Sequence, residues 1–148
     1  MSAPSGVTTN EQIIYDLLIK YQEAVKDKNL IQFLSIYDVS ITVYDMWNVW
    51  SYKGLEEWRG MAEGWFSSLG EEVDTVQFSE TVVEAGQDMA TLYTMVKYTA
   101  FSMDGIELRS LNNRMTWVLK RKDDQWKVIH EHSSSPGNLA DASLMLEK

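Results

Sequence analysis

The sequence contains no cysteine, only 2 prolines and fewer basic than acidic residues. The absence of cysteine excludes disulfide bonds, thiolate nucleophiles and thiolate metal sites, and it is consistent with a cytoplasmic location. The formal net charge of -9 disfavours binding to a phosphate backbone, and no basic stripe offsets it. No apolar run approaches the roughly 20 residues that span a bilayer, and residues 1–9 lack the basic and apolar regions of a signal peptide. We therefore expect neither a nucleic-acid nor a membrane partner.

The composition is that of one globular domain. The 148 residues are 45% hydrophobic and 24% charged, which is sufficient for a buried core. We expect residues 1–9 to form a mobile tail, residues 10–136 to form the domain, and residues 137–148 to form a C-terminal segment with a short helix over residues 139–146. No internal repeat or linker indicates a second domain.

Three helices are predicted in the first half of the chain. Thr9 and Gln12 have the spacing of a capping box, and apolar residues follow at helical spacing as far as Val25. A short second helix is predicted from Leu30 onward. The third helix is predicted over residues 55–69, with Gly70 as its C′ residue.

Alternation of apolar and polar residues predicts five strands. The first covers residues 40–47, and later runs lie at about 74–84, 89–102, 106–121 and 126–134. The pair Asp104-Gly105 is the strongest hairpin signal between them. The element order α-α-β-α-β-β-β-β predicts an α+β fold with an antiparallel meander.

Asp45 is two residues from Val43 and from Trp47, so the three side chains share one face of the first predicted strand. A carboxylate is therefore predicted on the apolar, inward face. Burying an unpaired carboxylate is unfavourable, and the usual outcome is a raised pKa or a partner. Two interpretations follow. Asp45 is either a general acid or base in an apolar pocket, or a strand-end acid satisfied by backbone donors or an arginine.

His130 and His132 are two residues apart on the last predicted strand, so they share one face of the sheet. The pair could bind a metal ion together with Asp45. Paired strand histidines are more often hydrogen-bonded or pocket-lining groups, so no metal or other cofactor is predicted. Glu131 alternates with the histidines and is expected at the surface or at an interface.

The neighbours of the two histidines depend on the preceding hairpin loop. A three-residue loop over residues 122–124, with Asp124 left-handed, gives a register that pairs His130 with Thr116 and His132 with Arg114. A two- or four-residue loop instead places the histidines beside Trp117 and Met115, because register parity decides the face. We favour the three-residue loop because Asp tolerates the left-handed conformation.

Aromatic residues are concentrated within nineteen positions, namely Trp47, Trp50, Tyr52, Trp58 and Trp65. Trp58 and Trp65 lie on a helical stripe, where core packing is the simplest interpretation. Trp47 and Trp50 follow a strand, and they are candidates for the wall of a hydrophobic ligand cavity.

Residues 10–136 resemble the SnoaL-like domains of the nuclear transport factor 2-like (cystatin-like) superfamily. The resemblance rests on the element order, on Arg114-Met115-Thr116, and on the final Trp126-Lys-Val-Ile-His-Glu-His-Ser-Ser-Ser-Pro136. That strand is also similar to the association domain of calcium/calmodulin-dependent kinase, although Ser133 stands where that family has an arginine. The resemblance implies a curved antiparallel sheet wrapped around the N-terminal helices, a cone with an internal pocket, and a homodimer.

The first half of the chain is also similar to the ketosteroid isomerases of this superfamily. Residues 20–45 align with theirs without a gap, which places Tyr21 on their oxyanion-hole tyrosine and Asp45 on their base aspartate. Their second acid, which is protonated, falls near Thr116, and no carboxylate stands at positions 114–118. The resemblance thus implies a pocket with one acid, Asp45, but it provides no residue for the second acid of the ketosteroid isomerases.

Two functions follow from these residues. In the first, the protein is an isomerase, cyclase or lyase for an apolar carbonyl substrate. Asp45 would move a proton there, Tyr21 with Thr116 or His132 would stabilise the enolate-like oxygen, and Trp47 and Trp65 would wall the ring. In the second, the protein is a non-catalytic ligand-binding or oligomerisation module. Arg114, His130 and His132 would then recognise a small carboxylate-bearing molecule.

Overall fold

The computed structural model describes residues 3–148. The elements are α1 (Thr9–Asp27), α2 (Leu30–Leu34), β1 (Tyr37–Tyr44), β2 (Tyr52–Lys53), α3 (Leu55–Leu69), β3 (Val73–Ala85), β4 (Met89–Phe101), β5 (Glu107–Lys122) and β6 (Gln125–Ser134). The predicted α+β fold is confirmed, with the two-residue strand β2 as an addition. No helix within residues 3–148 is long and apolar enough to cross a membrane.

Helix α1 begins with a capping box one position earlier than predicted. The Thr8 side chain accepts a hydrogen bond from the Glu11 amide, and the Glu11 carboxylate accepts one from the Thr8 amide. The prediction from Thr9 and Gln12 is therefore wrong by one residue, because a charged Glu is favoured in the first turn of a helix. Of the predicted tail, residues 1 and 2 lie outside the described residues, and Ala3 and Val7 pack against the core.

The strands form one curved, open six-stranded sheet in the order β2-β1-β6-β5-β4-β3. Strands β3 to β6 are the predicted antiparallel meander, whereas β1 joins β6 in parallel. The inner face of the sheet packs against the helices through fully buried side chains such as Leu18, Phe33 and Trp117. Strand β1 ends at Tyr44, so Asp45 and Trp47 follow the strand instead of lying within it.

The hairpin between β5 and β6 differs from the prediction. Its loop has only two residues, Asp123 and Asp124, and their φ angles of 51° and 61° are left-handed, as a type I′ turn requires. Lys122 therefore pairs with Gln125. The predicted three-residue loop is wrong because Asp123 adopts the left-handed conformation as readily as Asp124 does.

An irregularity in β6 then exchanges the faces of the strand. The pairing shifts by one residue at Ile129, between the pairs Leu119–Val128 and Val118–His130. A bulge of this kind moves every later side chain to the opposite face. Glu131 is therefore buried, with 3% exposure, and His132 pairs with Thr116 on the outer face.

Residues 137–148, all of which the structure describes, contain no helix, contrary to the prediction for residues 139–146. The Asp141 side chain accepts hydrogen bonds from the amide and hydroxyl of Ser143, and such local bonds compete with helix formation. The segment instead turns back through a Gly137–Leu144 bridge.

Candidate functional site

A cavity of about 420 Å³ lies between α3 and the inner face of the sheet. Helix α3 contributes aromatic and apolar side chains, and the sheet contributes most of the polar ones. The lining residues used below are Tyr21, Asp45, Trp47, Trp58, Trp65, Asp74, Tyr98, Asn113, Glu131 and Ser133. A cavity of this size and mixed lining is typical of a small-molecule site.

Asp45 reaches the cavity from the end of β1. Its Oδ1 accepts a hydrogen bond of 3.0 Å from the Ser133 hydroxyl, and its carboxylate also accepts one from the Met46 amide. Burial raises the pKa of Asp45, although these two hydrogen bonds act in the opposite direction. Asp45 is therefore a carboxylate held in place at the edge of an aromatic cavity, without a basic partner among the cavity lining of residues 3–148.

Two tyrosine hydroxyls meet inside the same cavity. The Oη atoms of Tyr21 on α1 and Tyr98 on β4 are 2.8 Å apart, and either can be the donor. Burial raises the pKa of both phenols, so both are neutral at physiological pH. The negative charge of Asp45 also raises the pKa of Tyr98, which indicates that the acid and the tyrosine pair share one enclosure.

Glu131 is the most deeply buried carboxyl group of the cavity. Its Oε1 accepts hydrogen bonds of 2.7 Å from the Tyr37 hydroxyl and of 2.7 Å from the Trp117 indole. Burial raises the pKa of Glu131 to about 7 despite these two bonds, and the charge of Asp45 adds to the effect. Glu131 is therefore distributed between its acid and carboxylate forms near neutral pH.

Asp74 is a third buried acid, on β3. Its Oδ2 accepts a hydrogen bond of 3.3 Å from the Trp65 indole of α3. Burial raises its pKa to about 6. Asp74 is thus mainly ionised at neutral pH, and it lines the cavity from a strand far from β1 in the sheet order.

The structure brings together only some of the residues predicted for the site. Four of them line the cavity: Asp45, Tyr21, Trp47 and Trp65. The other five lie elsewhere: Trp50, Arg114, Thr116, His130 and His132. The Trp50 side chain is 97% exposed, and the remaining four belong to the outer region of β5 and β6.

On the outer face, His132 stands between Tyr44 of β1 and Thr116 of β5. His130 is fixed by a contact of 2.7 Å between its Nδ1 and the Thr42 carbonyl oxygen. The expectation that the histidines face the pocket is therefore corrected, because the bulge at Ile129 turns them outward.

Among the cavity residues that the sequence-based interpretation missed are Glu131, Tyr98 and Asp74. Glu131 was assigned to the surface because Trp126 and Val128 fix the inward parity before the bulge. Asp74 is buried on β3 and Tyr98 is partly buried on β4. Each lies two residues from a buried apolar residue of its strand, and this spacing was the available signal.

The histidines and Asp45 do not converge on a common metal site. His130 and His132 are on the outer face of the sheet, whereas Asp45 lines the inner cavity. Within residues 3–148, no group of three or more His, Asp or Glu side chains could hold a metal ion.

Comparison with known proteins agrees with this architecture. The profile of the SnoaL-like domain matches residues 14–138. An NTF2-like protein of unknown function from Pseudomonas putida KT2440 superposes with a TM-score of 0.85 at 22% identity, over 96% of this chain and 97% of that one. Among curated proteins, none matches the chain in sequence.

Two further structures have the same fold. A provisionally assigned calcium/calmodulin dependent protein kinase II association domain from Xanthomonas campestris gives a TM-score of 0.75 at 15% identity, over 93% of this chain and 95% of that one. A protein of unknown function with a cystatin-like fold from Nostoc punctiforme gives 0.69 at 13% identity, over 90% and 93%. At these identities the likeness concerns the fold alone.

Proposed function

Since the chain belongs to the SnoaL-like domain family, we propose that it is an enzyme that moves a proton on a small, largely apolar carbonyl compound. One observation carries the proposal: Asp45 and the Tyr21–Tyr98 hydroxyl pair line the same cavity. A base and a neutral hydrogen-bond donor are the two groups that enolisation needs.

Asp45 is the proposed general base. It would take the proton from the carbon next to the carbonyl group. Its raised pKa makes it a stronger base than an exposed aspartate, and the Ser133 hydroxyl fixes its orientation. After transfer, the neutral Asp45 acid can return the proton to another carbon of the same substrate, which completes an isomerisation.

The tyrosine pair is the proposed site of the enolate oxygen. A neutral phenol donates a hydrogen bond to an oxyanion most effectively where water is excluded. The second phenol of the pair can donate to the first and strengthen that bond. Tyr98 thus takes the place beside Tyr21 that the sequence analysis gave to Thr116 or His132.

Glu131 supplies a carboxyl group at the place where the comparison with ketosteroid isomerases found none. It lies on β6 directly opposite Trp117 of β5, and Trp117 is one of the residues 114–118. In its neutral form Glu131 does not repel the negative charge that develops on the enolate oxygen. Its carboxylate form would repel that charge. We therefore expect proton transfer to slow as Glu131 ionises above pH 7.

The outer face of the sheet is the proposed surface for a homodimer. Tyr44 and Tyr93 are 44% and 52% exposed, and they flank the row that contains Thr116 and His132. Exposed aromatic side chains on an uncovered sheet face favour an isologous contact. The alternative function, capture of a small anion by Arg114 and the histidines, would use this same exposed face and not the cavity.

Exchange of carbon-bound hydrogen for deuterium tests the proposal without knowledge of the natural substrate. Cyclic and aromatic ketones are incubated with the protein in D2O, and exchange next to the carbonyl is followed by NMR. We expect catalysed exchange with the wild type, a loss of about 10²- to 10⁴-fold in Asp45→Asn, and a smaller loss in Tyr21→Phe.

His132→Gln and Arg114→Ala are matched controls on the outer face, and exchange should continue in both. Wild-type protein that accelerates exchange in none of the ketones, or an Asp45→Asn variant as active as the wild type, would refute the proposal. Thermal stabilisation by small carboxylates that disappears in Arg114→Ala would support the anion-binding alternative instead.

A further inference from the structure

Among residues 3–148, the charged side chains that line the cavity are all acidic. Three carboxyl groups line it, those of Asp45, Asp74 and Glu131, together with the amide of Asn113. Within the described chain, residues 3–148, no lysine, arginine or histidine is among the lining residues. The cavity therefore presents excess negative charge.

Two buried polar atoms of the cavity lining have no hydrogen-bond partner within residues 3–148, namely the Oδ1 of Asn113 and the indole Nε1 of Trp58. The Oδ1 of Asn113 has no hydrogen-bond partner within residues 3–148, although the residue is only 8% exposed. Its Nδ2 contacts the Met46 sulfur at 3.4 Å, which assigns the free atom as the carbonyl oxygen.

Unfilled buried acceptors are unfavourable, and a ligand that brings donors removes the cost. A carboxylate-bearing ligand would meet three acids and no cation in this cavity, so its charge would be repelled. A ligand without any donor would leave the Oδ1 of Asn113 unsatisfied. The lining thus selects for a ligand that carries both positive charge and N–H donors.

The strand β3 side of the cavity is suited to such a group. Asp74 is held there by the Trp65 indole, and Trp65 packs against Tyr98 with ring centroids 5.9 Å apart. A carboxylate beside aromatic rings provides an ion pair and cation–π attraction to the same ammonium group. Asp45 and the tyrosine pair remain available for the carbonyl group.

We propose that the ligand of this cavity is a protonated amine, attached to an apolar ring system, whose ammonium group pairs with Asp74. The inference rests on the proposed function in taking this cavity as the substrate site, and it adds the chemical class of the substrate. It predicts discrimination by charge among molecules of equal size.

Three isosteric probes test the inference: 1-naphthylmethylamine, 1-naphthalenemethanol and 1-naphthoic acid. Their dissociation constants for the wild-type protein are measured by calorimetry at neutral pH. We expect the amine to bind at least about 10-fold more tightly than the alcohol, and the acid to bind most weakly. In Asp74→Asn the amine should lose this preference over the alcohol, and in the exposed control Asp104→Asn it should keep it.

Asn113→Leu provides a second variant that does not alter the charge of the cavity. It removes the unfilled acceptor, so the amine and the alcohol should both lose affinity while the acid does not. Binding of the acid as tight as that of the amine, binding of none of the probes, or an unchanged amine preference in folded Asp74→Asn would overturn the inference.

The two proposals fail separately. Deuterium exchange in neutral ketones without any amine preference would overturn the inference and leave the proposed proton transfer standing. Amine preference in a protein that catalyses no exchange would overturn the proposed proton transfer and leave the inference about the ligand standing.

Discussion

Replacement of Glu131 by glutamine should stabilise the protein more at high pH than at low pH. Burial raises the pKa of Glu131 from 4.5 to about 7 in the folded protein. Between these values the unfolded chain loses the proton and the folded chain retains it. The free energy of unfolding therefore falls as the pH rises through this window, and the loss is complete above the folded pKa.

The size of the effect follows from the two pKa values. Each pH unit between 4.5 and about 7 corresponds to roughly 1.4 kcal/mol, so ionisation of Glu131 costs about 3 kcal/mol at pH 8. Glutamine has no such cost. Its carbonyl oxygen can still accept from Tyr37 and Trp117, which now bond to Oε1 of Glu131.

Urea unfolding monitored by tryptophan fluorescence measures the difference. Wild type and Glu131→Gln are compared at pH 4.5, 6 and 8. We expect the stability of the variant relative to the wild type to increase by about 3 kcal/mol across this range. Because all other titrating groups are common to both proteins, their contributions largely cancel. The exposed Glu107→Gln substitution on β5 is the control, and it should show no such trend.

A difference between the two proteins that stays constant within about 0.5 kcal/mol from pH 4.5 to 8 would refute this reasoning. It would mean that water or conformational relaxation keeps Glu131 as well solvated in the fold as in the unfolded chain. A difference that changes with pH in the opposite direction would indicate that the two hydrogen-bond donors stabilise the Glu131 carboxylate by more than burial destabilises it.

Two further predictions concern the elements that frame the site. Thr8→Ala should lower the free energy of unfolding by about 1 kcal/mol, because it removes the cap of α1. The control Thr9→Ala should change the free energy of unfolding by less. Equal losses for the two variants in chemical denaturation would contradict the observed capping box. Joint replacement of Asp123 by Asn and Asp124 by Gly should raise the melting temperature, because Asn-Gly suits a type I′ turn. The exposed Arg121–Asp124 ion pair that is lost contributes little, so a lower melting temperature in calorimetry would argue against the two-residue turn.

The helices in the first half of the chain and most strand bounds could be predicted because their signals are local. The inward stripe of α3 and its terminal Gly70 indicate the observed helix over residues 55–69. The meander strands agree within a residue or two, since turn residues separate long alternating runs. Parallel pairing of β1 with β6 has no local signal and could not be predicted from periodicity.

The faces of the last strand were predicted incorrectly for a physical reason. Alternation that starts from the buried residues Trp126 and Val128 places the histidines inside, and only the bulge at Ile129 reverses this. The bulge accommodates the twist that the curved sheet requires, and no residue type in the strand predicts it. Asp45 kept its inward placement because no bulge intervenes between Val43 and the end of β1.

The parallel pairing of β1 with β6 also affects how the chain can fold. Tyr37 pairs with Val128, and Val43 pairs with Glu131, so these contacts close a loop that contains most of the protein. The β3–β6 meander needs only neighbouring strands and can assemble early, whereas β1 must wait for the last strand. During synthesis on the ribosome, Asp45 and Glu131 therefore reach the same cavity only after β6 has emerged.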